Sequence, residues 1–154
     1  MTTYQGLRTD VWSMALPDDW SQKANRADEG SLYFESGDGT KGLYISTWTL
    51  GPNDRRSAAD VAGAFRANDR RSLDAMHGYR WQILEDGDAE AGGVHAAVTD
   101  YFAAAQSYRA VGKILAAPPL VVRASFQDYA CGDVEASREY FQPIIDSLQL
   151  NKPN

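Results

Sequence analysis

LVVRASFQDYACGDVEASREYFQPIIDSLQL, residues 120–150, carries two hydrophobic periods in succession, one of a strand and one of a helix. Its first half alternates: Leu120, Val122, Ala124 and Phe126 fall on one face of a strand, with Val121, Arg123, Ser125 and Gln127 on the other. Gly132 and Asp133 break that strand, and Asp133 stands where a carboxylate accepts from the first free N–H groups of a helix. Val134, Phe141, Ile144, Ile145 and Leu148 then recur at helical spacing on one stripe. A strand running into an amphipathic helix predicts an α+β domain. Pro143 forfeits one backbone bond inside that helix and predicts a kink between Phe141 and Ile144, bending the helix around a twisted sheet.

Working outward, Pro118-Pro119 makes a turn, and 94–105 and 108–116 read as two long strands joined near Gln106-Ser107. EDGDAEAGG, residues 85–93, reads as an acidic, glycine-rich hairpin loop. Residues 79–84 read as a strand with Tyr79, Trp81 and Ile83 on one face. Ser57 opens a helix, with Asp60 completing a variant capping box, and Gly78 ends it after about Met76. Its buried stripe is Val61, Phe65 and Met76, diluted by Asn68 and Ser72 on the same side. Residues 31–35 and 42–50 are strands around a hairpin tip, where Asp38-Gly39 supplies positive φ angles. Residues 11–16 form an opening strand ended by Pro17-Asp18-Asp19, and the polar run 21–27 reads as an edge strand. No repeat, low-complexity tract or linker interrupts the order, so residues 1–154 read as one domain: β-block, helix, β-meander, helix.

The strand phases predict a wholly apolar sheet face carrying Trp12, Leu16, Leu32, Phe34, Leu43, Ile45, Trp81, Ile83, Val94, Val98, Phe102, Ile114, Val122 and Phe126. Both helices are expected to cover it. The opposite face carries Tyr33, Tyr44, Trp48, Arg80, Gln82, Thr99, Tyr101, Arg109, Lys113, Arg123 and Gln127, and part of it is expected to stay open. Tyr, Trp and Arg dominate interface hot spots, so Tyr44, Trp48, Tyr101, Arg109 and Arg123 are the candidate protein-binding residues.

Composition narrows the function classes. Of 154 residues, 44% are hydrophobic, with four Trp and eight Tyr, which argues for a packed core. A net charge of −6 disfavours nucleic acid as a partner, because phosphates must be met by clustered Lys and Arg. The opening MTTYQGLRTD has no apolar run behind a positive charge, and no stretch reaches the about 20 apolar residues of a membrane span. The expectation is a cytoplasmic chain with no membrane span.

Motifs for catalysis and metals fail on spacing. His77 and His95 are the only histidines and lie too far apart to form a local zinc motif. His77 sits where a helix C-terminus favours a cation. Cys131, the single cysteine, precedes a helix without an identifiable base, and reads as a small buried apolar residue. From Asp86, an EF-hand would need Gly at the sixth position and Glu at the twelfth, but Ala91 and Ala97 stand there. Arg55, Arg56, Arg66, Arg70 and Arg71 interleave with Asp54, Asp60, Asp69 and Asp74, as on a solvated helix face with weak ion pairs. No catalytic residue, metal or cofactor is expected.

Three stretches together resemble the PsbP-like fold, shared by the photosystem subunit, the DcrB-type bacterial proteins and the Ran-binding Mog protein. They are ALPDDW (15–20), LYFESGDGTKGLYISTW (32–48) and SFQDY…YFQPIIDSLQL (125–150). The resemblance implies an antiparallel sheet flanked by helices, an αβα sandwich, in a protein that works by binding other proteins. It further implies a bacterial adaptor, chaperone or immunity-like factor linked to type VI secretion, with an effector as partner. The alternative is a small-molecule or lipid-tail binding module using a pocket between helix and sheet.

Overall fold

The computed structural model describes residues 2–24 and 31–151. The main sheet has seven strands: β3 (Ser21–Lys23), β4 (Ser31–Glu35), β5 (Lys41–Thr49), β6 (Gln82–Ala91), β7 (Val94–Ala103), β8 (Tyr108–Ala117) and β9 (Leu120–Asp128). They lie in the order β3-β4-β5-β9-β8-β7-β6, and every neighbouring pair is antiparallel. A second, three-stranded sheet pairs β1 (Tyr4–Arg8) with β2 (Trp12–Pro17) and β2 with the short β10 (Gln149–Leu150). The polar run 21–27 forms a strand only at Ser21–Lys23, and residues 25–27 lie outside the described ones.

Each helix starts where the capping chemistry predicts. Ser57 Oγ accepts from the Asp60 N–H at 3.1 Å to open α1 (Ala58–Asp74). Asp133 accepts from the N–H groups of Glu135 and Ala136 to open α2 (Val134–Ser147). α1 stops two residues short of Met76, and Pro143 lies inside α2 without ending it.

The helices do not share a face. α2 and the small sheet cover the face that carries Leu43, Ile45, Val122 and Phe126. Trp12, Met14 and Leu16 of β2 join Phe141, Ile144 and Ile145 of α2 in that core. α1 lies on the opposite face, where Val61 and Ala62 meet Ala97, Ile114, Ala116 and Val121. The result is an antiparallel α+β sandwich with one helix on each side, in which both faces of the central strands must be partly apolar.

That two-sided burial defeated the phase reading of β8. The register pairs Lys113 with Ala124 and Ile114 with Arg123, so Arg109 and Lys113 belong to the α2 face and Ile114 to the α1 face. The Arg109 and Lys113 set of β8 also carries Val111 and Leu115, while the other holds the small Ala110, Gly112 and Ala116 beside Ile114, so alternation alone cannot assign the α2 face. Trp12 and Leu16 are inward, as expected, but from the second sheet.

The acidic stretch 85–93 is also strand rather than loop. β6 runs to Ala91, and the turn is only Gly92-Gly93, both at positive φ, closing a two-residue hairpin onto Val94. Tyr79 and Trp81 precede the strand. A register shift between Ile83 and Glu85 leaves Ile83 paired with Tyr101 and 46% exposed.

Candidate functional site

The N-terminal half of α1 is well seated, but its C-terminal half is not. Beyond Ala62 the helix offers Phe65, Asn68, Asp69 and Ser72 towards a part of the sheet built from Ser46, Ser125, Ala110 and Gly112. Small and polar residues on both sides leave the layers unfilled. An outer cavity of about 410 Å³ opens between Trp48, Phe65 and Arg123, and behind it lies an inner one of about 90 Å³ lined by Tyr101, Ser125 and Gln127. Asp69, Ser72 and Arg123 border both. The diluted stripe at Asn68 and Ser72 is thus the sequence signature of the cleft.

At the junction Arg123 Nε donates to Asp69 Oδ1 at 2.5 Å. Asp69 is 8% exposed. Burial pushes its carboxyl above the usual range, and the Arg123 guanidinium pulls it back. Among the described residues, Nη1 and Nη2 of Arg123 hold no hydrogen bond. Trp48 is 49% exposed and stands edge-to-face on Phe65, ring centroids 5.8 Å apart. Tyr101 is 4% exposed, and its hydroxyl has no hydrogen-bond partner among the described residues.

Beside the cleft, aromatic rings cross the same sheet face. The Tyr44 and Tyr33 rings lie tilted by 31° with centroids 4.5 Å apart, and the Tyr33 and Tyr129 hydroxyls are 3.1 Å apart. Tyr108 meets Tyr129 at 5.7 Å and also touches Trp81 and Tyr79. Burial raises the Tyr33 phenol to about 12 and raises Tyr108 and Tyr129 as well. Gly42 makes the Tyr33–Tyr129 contact sterically feasible: a Cβ there would collide with the Tyr129 hydroxyl and lie 2.8 Å from Tyr33 Cε1.

Four of the five candidate residues therefore share one face. Trp48 and Arg123 line the outer cavity, Tyr101 closes the inner one, and Tyr44 belongs to the neighbouring tyrosine array. Arg109 does not join them. It is buried on the α2 face, donating twice to Asp100 (2.9 and 3.0 Å) and once to Ser137 Oγ (3.0 Å). Asp69 had seemed one of several carboxylates on a solvated helix face. Its spacing from Val61 and Phe65 places it on the buried stripe, a signal present in the sequence. Arg66 and Arg70 likewise pair across to Asp86 and Asp88 of β6 rather than along their own helix.

A second cavity, about 310 Å³, lies between α2 and β6–β8, lined by Val98, Val111 and Ile145 together with Arg109 and Lys113. Lys113 Nζ donates to the carbonyls of Ile145 (2.6 Å) and Leu148 (3.0 Å), a cation at the C-terminus of α2. Burial pulls its ammonium below the usual lysine range. His95 is buried on β7, with Nε2 2.7 Å from Asp88 Oδ2. Burial raises the Cys131 thiol, which suppresses thiolate at neutral pH. Among the described residues no group of three or more His, Cys, Asp or Glu is placed to hold a metal, and no helix is long and apolar enough to cross a membrane.

No family model matches the chain, and no curated protein sequence does. Solved structures do. The solution structure of cyanobacterial PsbP (CyanoP) from Synechocystis sp. PCC 6803 is similar at a TM-score of 0.69 and 12% identity, covering 98% of this chain and 94% of that one. A protein of unknown function from Pseudomonas aeruginosa is similar at a TM-score of 0.52 and 13% identity, with 98% and 99% covered. At such identities the likeness is one of fold. The chain therefore has a PsbP-like fold.

Proposed function

We propose that the chain is a non-enzymatic protein-binding factor, an adaptor or chaperone of the bacterial cytoplasm, that engages its partner at the mouth of the α1 cleft. One observation carries this reading: a half-exposed Trp48 stands beside Arg123, whose terminal nitrogens hold no hydrogen bond among the described residues, at the rim of a cavity of about 410 Å³. Trp and Arg around a concave centre are what interface hot spots are made of. A secretion effector is the partner class that the family resemblance suggests.

The test is a photo-activated cross-linker at position 48, with position 83 as an exposed control, in cells of the natural host. The expected result is one protein joined from 48 and not from 83, lost when Trp48→Ala is combined with Arg123→Gln. Glutamine spares Asp69 a like-charged neighbour. The pair of changes should weaken the complex by at least ~2 kcal/mol. Equal capture by the variant would remove this face as the site.

A second reading rests on the α2-side cavity, where Val98, Val111 and Ile145 stand among charges of both signs (Arg109, Lys113 and Arg138 with Glu85, Asp88, Asp100 and Asp146), a mixture that suits a small amphipathic molecule. Native mass spectrometry of the purified chain tests it. A bound small molecule lost on Val98→Trp would favour it, and a ligand-free spectrum would count against it.

A further inference from the structure

We propose that the α1 cleft captures the carboxyl-terminal residue of a partner chain, its carboxylate on Arg123 and an aromatic or large apolar side chain against Trp48 and Phe65. This rests on the protein-binding reading above and names what the partner presents.

The guanidinium is already oriented. Asp69 takes Nε, which fixes the plane of the group and leaves the Nη1 and Nη2 fork, the geometry that receives a carboxylate end-on through two parallel bonds. Asp69 is a positioning residue here. Among the described residues it is also the only carboxylate lining the outer cavity, and it is engaged. Arg71 lies on the same flank of α1 as Asn68, three residues away, exposed and without an ion pair among the described residues. Arg123 is the cation among the described residues lining the outer cavity, and Asp69 balances its charge, in a chain of net charge −6. That long-range field opposes an acidic domain far more than it opposes a single terminal carboxylate.

Shape points the same way. The outer cavity, about 410 Å³, is at the small end for ligand pockets, and the inner one, about 90 Å³, has room for a few water molecules only. A chain running onward would have to pass beneath α1, where Val61 and Ala62 are fully packed. A terminal residue needs no exit and brings ring and carboxylate to one place. The orphaned Tyr101 hydroxyl at the inner cavity completes the set: a buried O–H without an acceptor is disfavoured, and a carboxylate at Arg123 supplies one directly or through a water.

The probes are N-acetyl-phenylalanine, its C-terminal amide, and N-acetyl-aspartyl-phenylalaninamide, which keeps the ring but bears only a side-chain carboxylate, titrated into isotope-labelled full chain by NMR. The acid should shift the Trp48 indole and Arg123 Nε–H signals at millimolar concentration, and the amide should bind at least tenfold more weakly. The change is in the probe, so no variant has to fold. Trp48→Ala, which removes an exposed ring, should weaken the acid at least fivefold with an unchanged melt. Equal binding of acid and amide, no shift with any probe, or shifts confined to the α2-side cavity would each overturn the proposal. Loss of the acid–amide difference with cross-linking at 48 intact would leave protein binding standing and remove only this assignment. A side-chain carboxylate binding as well as the acid would overturn the chain-end reading. So would tight acid binding without any cross-linked protein, in favour of a free small carboxylate.

Discussion

Arg109 is 3% exposed and spends three of its N–H groups on Asp100 and Ser137. Arg138 reaches Asp100 as well, at 3.2 Å, so a buried carboxylate ties two strands to α2. Truncating Arg109→Ala strands Asp100 with a single, half-exposed partner. The expected loss is about 3–5 kcal/mol of unfolding free energy, read by urea denaturation, with Arg109→Met milder because its stem still fills the space. A change below about 1 kcal/mol would mean that Arg138 alone satisfies Asp100. At this scale the sheet face that Trp48 and Arg123 share was legible, because β5 and β9 alternate around apolar neighbours. Arg109 was not, because β8 is buried on both sides and a charged residue inside it looks like one facing water.

Among the elements, α2 shows how far periodicity reaches. Phe141, Ile144, Ile145 and Leu148 are all buried, as their spacing predicts. Ile144→Asp should therefore unfold the domain, because its site is fully enclosed and holds no cation. Ile145 is a weaker test, since Lys113 lies 2.6 Å from its carbonyl and could meet a new carboxylate. A thermal melt of the Ile144 variant within a few degrees of the parent would show that the stripe is not the core. β6 was illegible for the opposite reason. An edge strand with nearly every residue exposed has no apolar phase to read, and its charges, which keep other chains from pairing there, look like a loop. What holds it is the ladder to β7 and the Arg66 and Arg70 bridges to Asp86 and Asp88, contacts distant in sequence.

For the whole molecule, the helices on opposite faces convert one exposed sheet surface into two different clefts and an aromatic band. The band makes stability depend on alkaline pH. Tyr33 ionises at about 12 in the fold against an ordinary value of 10.0, and burial shifts Tyr108 and Tyr129 in the same direction. Below pH 10 folded and unfolded chains both hold these protons, and the contribution is fully present. Above it the unfolded chain has released protons that the fold retains, so unfolding is favoured progressively, and the stabilisation is lost as pH rises through 12. Tyrosinate absorbance of this set should therefore appear together with the collapse of the far-ultraviolet dichroism, and Tyr33→Phe should move that collapse to higher pH. A gradual titration near 10 with the sheet intact would contradict the burial of the band. The chain order, the helix starts and the closing strand–helix unit were readable from local chemistry. Which face each helix covers was not, because that choice is made by long-range pairing and not by either helix's own stripe.

Gly42 gives the molecule a constraint that acts across generations of sequence. Position 42 is filled already, by Tyr33 from the middle of β4 and Tyr129 from just beyond β9, so a new side chain there must evict Tyr33 or Tyr129 before it can be accommodated. The three positions should therefore drift together or not at all. In any set of natural variants, glycine at 42 should accompany an aromatic residue at 33 and 129, and larger residues at 42 should arrive only with a smaller one at 33 or 129. Free mixing of a bulky residue at 42 with both tyrosines would show that the packing of this band is not what selection holds in place.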